Sequence, residues 1–395
     1  MNMMITKHQR IIVIVLVALI SGCVNSSRHR SEAAAVRPHL SPGYLAQQRY
    51  AVNSARENWT LAGDTVDTVL TMPSGGGDFP LIVYLPGLGE SAESGVAWRR
   101  SWAEAGYAVL SVQPDSIARI RPSPAMRSDE LKDLAREQFS PPMLDRRQAI
   151  LKKALAEIQR RKTGGEVFGF AHIDLAHIAI AGFDLGAQTA MFAAGEGIGG
   201  IAPFALPETV KCVIALSPYA DFSGAGFERR FKSVHVPVLS VTSMEDTDQY
   251  GVVTSAAMRR APFEYMPSGD KYLLSLFAAP HSLLSGQETP EESGDTHNRD
   301  GYRSAANSSD SGRGGRKGRG VNRGGRNSGG ETGGKATLPF SGQSSPGAWG
   351  EQLQYVQNVT TAYLDALLKN DTIAREWLAK DARRWLGDGA NLVLK

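Results

Sequence analysis

Between residues 50 and 286, short apolar runs alternate with stretches whose apolar positions recur at helical spacing. LIVYL (81–85), bounded by Pro80 and by Pro86-Gly87, has the length and flanks of a buried strand. YAVLSV (107–112), IAIA (178–181), VIAL (213–216) and PVLSV (237–241) repeat that signature, and KYLLSLF (271–277) reads as the last of the series. Residues 102–106 read as a helix end. Met143, Ile150, Leu151, Leu155 and Ile158 fit one helix face, and the small apolar run 188–194 suits a helix packed closely on a sheet. Strands alternating with helices predict parallel pairing, hence a three-layer α/β fold with a mostly parallel sheet and helices on both faces. Residues 49–72 are expected to add an antiparallel edge pair. Trp98 and Trp102 are expected in the core, as are Trp377 and Trp385 further on.

The pattern stops near residue 287. Residues 287–346 are rich in Gly, Ser, Asn and Arg with almost no large apolar side chains, too few to offset the entropy of ordering, so a disordered insertion is predicted. Periodicity resumes at Trp349. Leu353, Val356, Tyr363, Leu364 and Leu367 mark an amphipathic helix. Asn370 or Asp371 starts a second, with Ile373, Trp377, Leu378 and Trp385 on its apolar side and Gly387 as its stop. These C-terminal helices (347–395) are expected to complete the domain begun at 46–286.

The first 22 residues have the layout of an export signal: Lys7 and Arg10, the apolar run IIVIVLVALI (11–20), then Ser21-Gly22-Cys23. The apolar run is short for a membrane span. The ending Ile20-Ser21-Gly22-Cys23 resembles the bacterial lipobox. That resemblance implies cleavage before Cys23, its diacylation, and a lipid-anchored place in the cell envelope; Val24 points to the outer membrane, facing the periplasm. Residues 23–45 then read as a flexible tether.

Composition refines this picture. With 395 residues, 42% hydrophobic, the chain can bury a sizeable core. Its net charge is +3, yet residues 311–330 hold five Arg and one Lys with no acid, which leaves the remainder at −3. A general polyanion-binding surface is therefore not expected on the globular part. The Gly/Arg patch lacks Phe and Tyr for base stacking, so anionic lipid or lipopolysaccharide fits it better than nucleic acid. Two cysteines exclude a disulfide framework and a zinc site of Cys ligands, and Cys212 sits in an apolar run that suits a buried thiol. No metal-ligand cluster or phosphate loop is visible, so no cofactor is expected.

The candidate chemistry begins where the IAIA strand runs into Gly182-Phe183-Asp184-Leu185-Gly186 and then a helix. In α/β-hydrolases a turn of the form G-x-S-x-G carries the nucleophile, with glycines two before and two after so that strand and helix can approach. Here the central residue is Asp. Downstream, Asp246 follows the strand ending at Val241, with Asp248 and Asp221 as alternatives, and His281 follows the strand ending at Phe277. The order nucleophile, acid, histidine is that of the same superfamily. The loop Pro86-Gly87-Leu88-Gly89 leaves the first strong strand, and the N–H groups of Leu88 and Leu185 are the expected oxyanion donors.

Carried by LPGLGE (85–90), AGFDLGAQTAM (181–191), PVLSVTSMED (237–246) and APHSLLSG (279–286), the chain resembles the α/β-hydrolase superfamily. It is most similar to the bacterial dienelactone-hydrolase and platelet-activating-factor-acetylhydrolase-like branch, with Asp in place of the nucleophilic Ser. Haloalkane dehalogenases and epoxide hydrolases also have Asp there, but carry a large cap between the strands that here end near 216 and begin near 238. That gap is too short for one, and no H-G-x-P segment is present. The resemblance implies a hydrolase acting on a small molecule through Asp184, His281 and Asp246. A carboxylate can attack an alkyl carbon unaided, whereas attack on an acyl carbon gives an anhydride; Asp184 could instead serve as a base on water. The alternative is an inactive pseudo-hydrolase lipoprotein that retains the fold for binding or scaffolding.

Overall fold

The computed structural model describes residues 43–120, 127–164, 168–221, 226–287 and 346–395. The expected signal, Cys23 and nearly all of the tether, the low-complexity insertion and its basic patch lie outside these residues. The described residues make up one compact unit. No helix among the described residues is long and apolar enough to cross a membrane.

The apolar runs build a nine-stranded sheet: β1 (Val52–Leu61), β2 (Asp64–Pro73), β3 (Phe79–Leu85), β4 (Ala108–Pro114), β5 (Ile173–Phe183), β6 (Val210–Leu216), β7 (Val238–Glu245), β8 (Lys271–Pro280) and β9 (Ala390–Leu394). Their spatial order is β1-β2-β4-β3-β5-β6-β7-β8-β9. The stretch from β4 to β8 is parallel throughout. The expected edge pair is present, antiparallel, with β2 also antiparallel to β4. The expectation that 271–277 is the last strand is corrected. β9 follows it, pairing antiparallel with β8 from Tyr272↔Leu394 to Leu276↔Ala390.

Period-two alternation divides the strand residues between two cores. On one face Ile82, Tyr84, Ala179, Ala181, Ile214 and Leu216 meet Trp98 and Trp102 of the Val96–Glu104 helix and Val356, Tyr363 and Leu364 of the Pro346–Leu368 helix. On the other, Leu81, Val83, Ile180, Val213 and Ala215 meet Leu144, Leu151 and Ile158 of the Pro141–Gly164 helix and Ala187, Ala190 and Met191 of the Leu185–Ala193 helix. Buried Trp98 and Trp102 donate their indole N–H to the Leu284 carbonyl and to Thr360 Oγ1, so the apolar rings leave no orphaned donor.

Two details differ from the sequence reading. Asp371 caps the helix Thr372–Lys380 through the N–H groups of Ile373 and Ala374, but Ile373 itself is 65% exposed rather than on the apolar side. Tyr44, near the end of the span read as tether, is already buried, its hydroxyl 2.7 Å from Asp365 and its ring against Trp377.

Candidate active site

β3 and β5 are neighbours, but β3 is followed by β4 on one side and β5 by β6 on the other. Loops leaving such a pair diverge and open a crevice beyond the carboxyl ends of the strands, where ligands of open α/β sheets bind. A cleft of about 860 Å³ lies here, lined by Leu88, Glu90, Phe183, Asp184, Asp248, Tyr250 and His281, among others.

Asp184 stands at the sharp bend between β5 and the Leu185–Ala193 helix, with φ 49° and ψ −107°. A non-glycine residue held there is strained, and such strain is characteristic of functional positions. The two glycines of the motif make the bend possible. A methyl group on Gly182 would collide with the Gly186 carbonyl, and one on Gly186 with the Leu85 carbonyl. The Asp184 N–H is bonded to the Leu216 carbonyl at 2.9 Å, which ties the bend to β6.

β7 delivers Asp246 and β8 delivers His281, which opens the short His281–Leu284 helix. His281 Nδ1 lies 2.7 Å from Asp246 Oδ1, and its Nε2 lies 4.0 Å from Asp184 Oδ1. The Phe183 ring packs on the imidazole with centroids 4.9 Å apart. The fold thus brings together the three side chains that the sequence singled out. Of the two alternative acids, Asp248 lines the same cleft but its carboxylate accepts the N–H groups of Tyr250, Val252 and Val253, capping its own loop. Asp221 pairs with Arg230 and Tyr219 instead.

Asp246 is fully buried. Its partners besides His281 are the Ser217 hydroxyl, 2.8 Å from both carboxylate oxygens, and the Thr242 hydroxyl at 2.7 Å. Burial alone would raise its pKa, but Arg259, His281 and Thr242 outweigh that and hold the carboxyl below the ordinary range. Asp184 has fewer donors. Burial raises its pKa; His281 and Arg259 oppose the rise, and the charges of Asp248 and Asp246 add to it.

Arg259 is a residue that sequence reasoning missed. Its guanidinium is fully buried beneath the site, with Nη1 2.7 Å from the Ser217 carbonyl and 3.4 Å from Asp184 Oδ1, and Nε 3.6 Å from Asp246 Oδ1. A buried cation between two buried carboxylates offsets charges that would otherwise repel each other in a poorly screened site. Asp184 Oδ1 is therefore held, while Oδ2 has no hydrogen-bond partner among the described residues. In sequence, Arg259-Arg260 gives no sign of the difference between its members: Arg260 is half-exposed and pairs with Glu264.

The loop after β3 is fixed through its carbonyls. Gln113 Nε2 donates to the Gly87 and Glu90 carbonyls at 2.8 Å, and the Tyr250 hydroxyl donates to the Leu88 carbonyl at 2.8 Å. Among the described residues the Leu88 and Leu185 N–H groups have no acceptor. Leu88 lines the cleft, and Leu185 is the first residue of the helix after the bend. Among the described residues no group of three or more His, Cys, Asp or Glu side chains is placed to hold a metal ion.

A scan of the chain against protein-family models gives no match, and a search of curated proteins finds none significantly similar.

Proposed function

We propose that this chain is a hydrolase of the α/β-hydrolase type that acts on an uncharged substrate, with Asp184 as nucleophile, His281 as base and Asp246 as the acid that orients the histidine. The observation that carries this reading is the His281 imidazole set between two carboxylates, 2.7 Å from Asp246 and 4.0 Å from Asp184. Asp184 Oδ2 attacks an electrophilic alkyl carbon; the bond to the leaving group breaks and its electron pair departs with that group, leaving an ester on Asp184. His281 Nε2 then takes a proton from water, the Asp246 carboxylate stabilises the imidazolium, and hydroxide adds to the Asp184 carbonyl. Arg259 Nη1, beside Oδ1, supports the charge that develops there, with the Leu88 and Leu185 N–H groups as further donors. Collapse expels the product alkoxide, which takes the proton from His281, and the Asp184 acid so formed releases its proton to solvent to restore the carboxylate.

An alkyl carbon is favoured over an acyl one because acyl attack by a carboxylate gives an anhydride. An uncharged substrate is favoured because the cleft wall carries Asp184, Glu245 and Asp248. The lipobox-like Cys23 supports placing this activity at the cell envelope; incorporation of labelled palmitate, lost in Cys23→Ala, is the expected result.

Single turnover in oxygen-18 water across a panel of epoxides, haloalkanes and esters tests the mechanism. Label is expected in the Asp184 carboxylate after one turnover. Turnover with label only in product would exclude the covalent step.

A second reading, a non-catalytic binding protein, is favoured by one contact: Arg259 already neutralises Asp184 from within the fold. Asp184→Ser separates the two. Simple ester hydrolysis is expected in that variant if the remaining machinery is competent, and none if the site is a relic.

A further inference from the structure

The cleft holds a second carboxyl group that the mechanism above leaves unused. Glu90 lies in the loop after β3 and lines the same cavity as Asp184, half-buried in its wall. Its Oε2 accepts the Gly87 N–H at 2.8 Å. Gly87 lies between this carboxyl and the Phe183 ring, close enough that a methyl group on it would sit 2.7 Å from the ring and 3.3 Å from Oε2. Glu90 therefore stands across one glycine from the residue that precedes Asp184.

The two carboxyls differ in their company. Asp184 has the Arg259 guanidinium at 3.4 Å and the His281 imidazole at 4.0 Å. Glu90 has no ion pair among the described residues; its polar partners are the Gly87 N–H and the Gln287 side chain. When two neighbouring carboxyls share a site, the negative charge settles on the one beside the cations and the proton on the other. Burial raises the Glu90 pKa to about 8, with Gly87 and Gln287 opposing and the Asp184 charge adding. The other titratable groups facing it are the hydroxyls of Tyr84 from β3 and Tyr250 from the loop after β7.

Building on the hydrolase reading, we infer that Glu90 is the proton donor to an oxygen leaving group, so that the favoured substrates are strained cyclic ethers such as epoxides. As Asp184 Oδ2 bonds to the ring carbon, the carbon–oxygen bond breaks, the ring oxygen keeps the electron pair and takes the Glu90 proton, and a hydroxyalkyl ester of Asp184 results. Hydrolysis of that ester releases a diol and leaves Asp184 as its acid; loss of that proton, through solvent, to the Glu90 carboxylate restores both groups. A halide leaving group needs no such proton.

The test compares styrene oxide with 1-bromobutane in wild type and Glu90→Gln. The amide oxygen of Gln can still accept the Gly87 N–H, so the loop is retained, and a thermal melt checks this. The variant is expected to lose about 10²-fold or more in epoxide opening, the usual contribution of a positioned acid, with bromoalkane turnover unchanged. In the wild type, epoxide opening should fall as pH rises through about 8, and bromoalkane turnover should not follow it. Equal loss on both substrates, or none on either, with an active wild type overturns the Glu90 assignment alone. A wild type inactive on every panel member overturns the hydrolase reading and, with it, this role.

Discussion

Asp184 and Asp246 reach the same imidazole from opposite sides, and their surroundings could hardly differ more. Asp246 is saturated: two hydroxyls and His281 bond it, and all of them belong to the rigid ends of β6, β7 and β8. Asp184 is held by one long contact to Arg259, on a backbone bend that few residues adopt. A carboxylate bonded at both oxygens suits the orienting role proposed for Asp246. A carboxylate with one oxygen uncommitted, beside a cleft, is available for chemistry. The comparison teaches that the donor set around each group, more than its residue type, is what distinguishes the two acids and the roles proposed for them.

The largest effect that tests this contrast is on turnover. Asp184→Asn should lower activity on the order of 10⁴-fold and leave the fold intact, since the amide keeps the shape of the side chain; steady-state rates alongside circular dichroism check it. Asp246→Asn should also lower activity, by about 10³- to 10⁴-fold, because the amide favours the wrong histidine tautomer. Next comes stability. Arg259→Met leaves two buried carboxylates without their cation and should cost about 3–5 kcal/mol in denaturant unfolding, less when combined with Asp184→Asn.

The two acids should also differ in the sign of their pH dependence. Asp246 titrates lower in the folded chain than in the unfolded one, so its contribution is present above the unfolded value of about 3.9 and is lost as pH falls through the folded value. Asp184 titrates higher when folded, so stability falls as pH rises from about 3.9 towards its folded value. Melts from pH 2 to pH 7 should therefore lose their acid slope in Asp246→Asn and their opposing slope in Asp184→Asn. The smallest change is Ser217→Ala, which removes one donor from buried Asp246 and should cost about 1–3 kcal/mol. A cost of that size at Asp184→Asn as well would erase the contrast between the two acids.

What the sequence made legible follows from how local each signal is. The core strands are apolar runs with turn residues at both ends, and Asp184, Asp246 and His281 each lie just past such a run, so position along the chain implied position in space. β9 is five residues long and is defined by its pairing with β8, more than one hundred residues earlier, which no local pattern reports. Arg259 and Glu90 are polar residues whose meaning comes from neighbours brought in by other strands. Ile373 looked apolar by type and spacing, yet it sits at the start of its helix, beyond the reach of the core.

β9 has a bearing on how the molecule comes into being. The strand that presents His281 acquires its outer neighbour from residues 390–394, and the helix Pro346–Leu368 covers the same face of the sheet. The same helix also packs on β5 and β6, which carry the bend at Asp184, so the bend and the strand before His281 both rest on residues supplied after 346. A copy terminated before residue 346 would therefore lose the support of both halves of the candidate site at once.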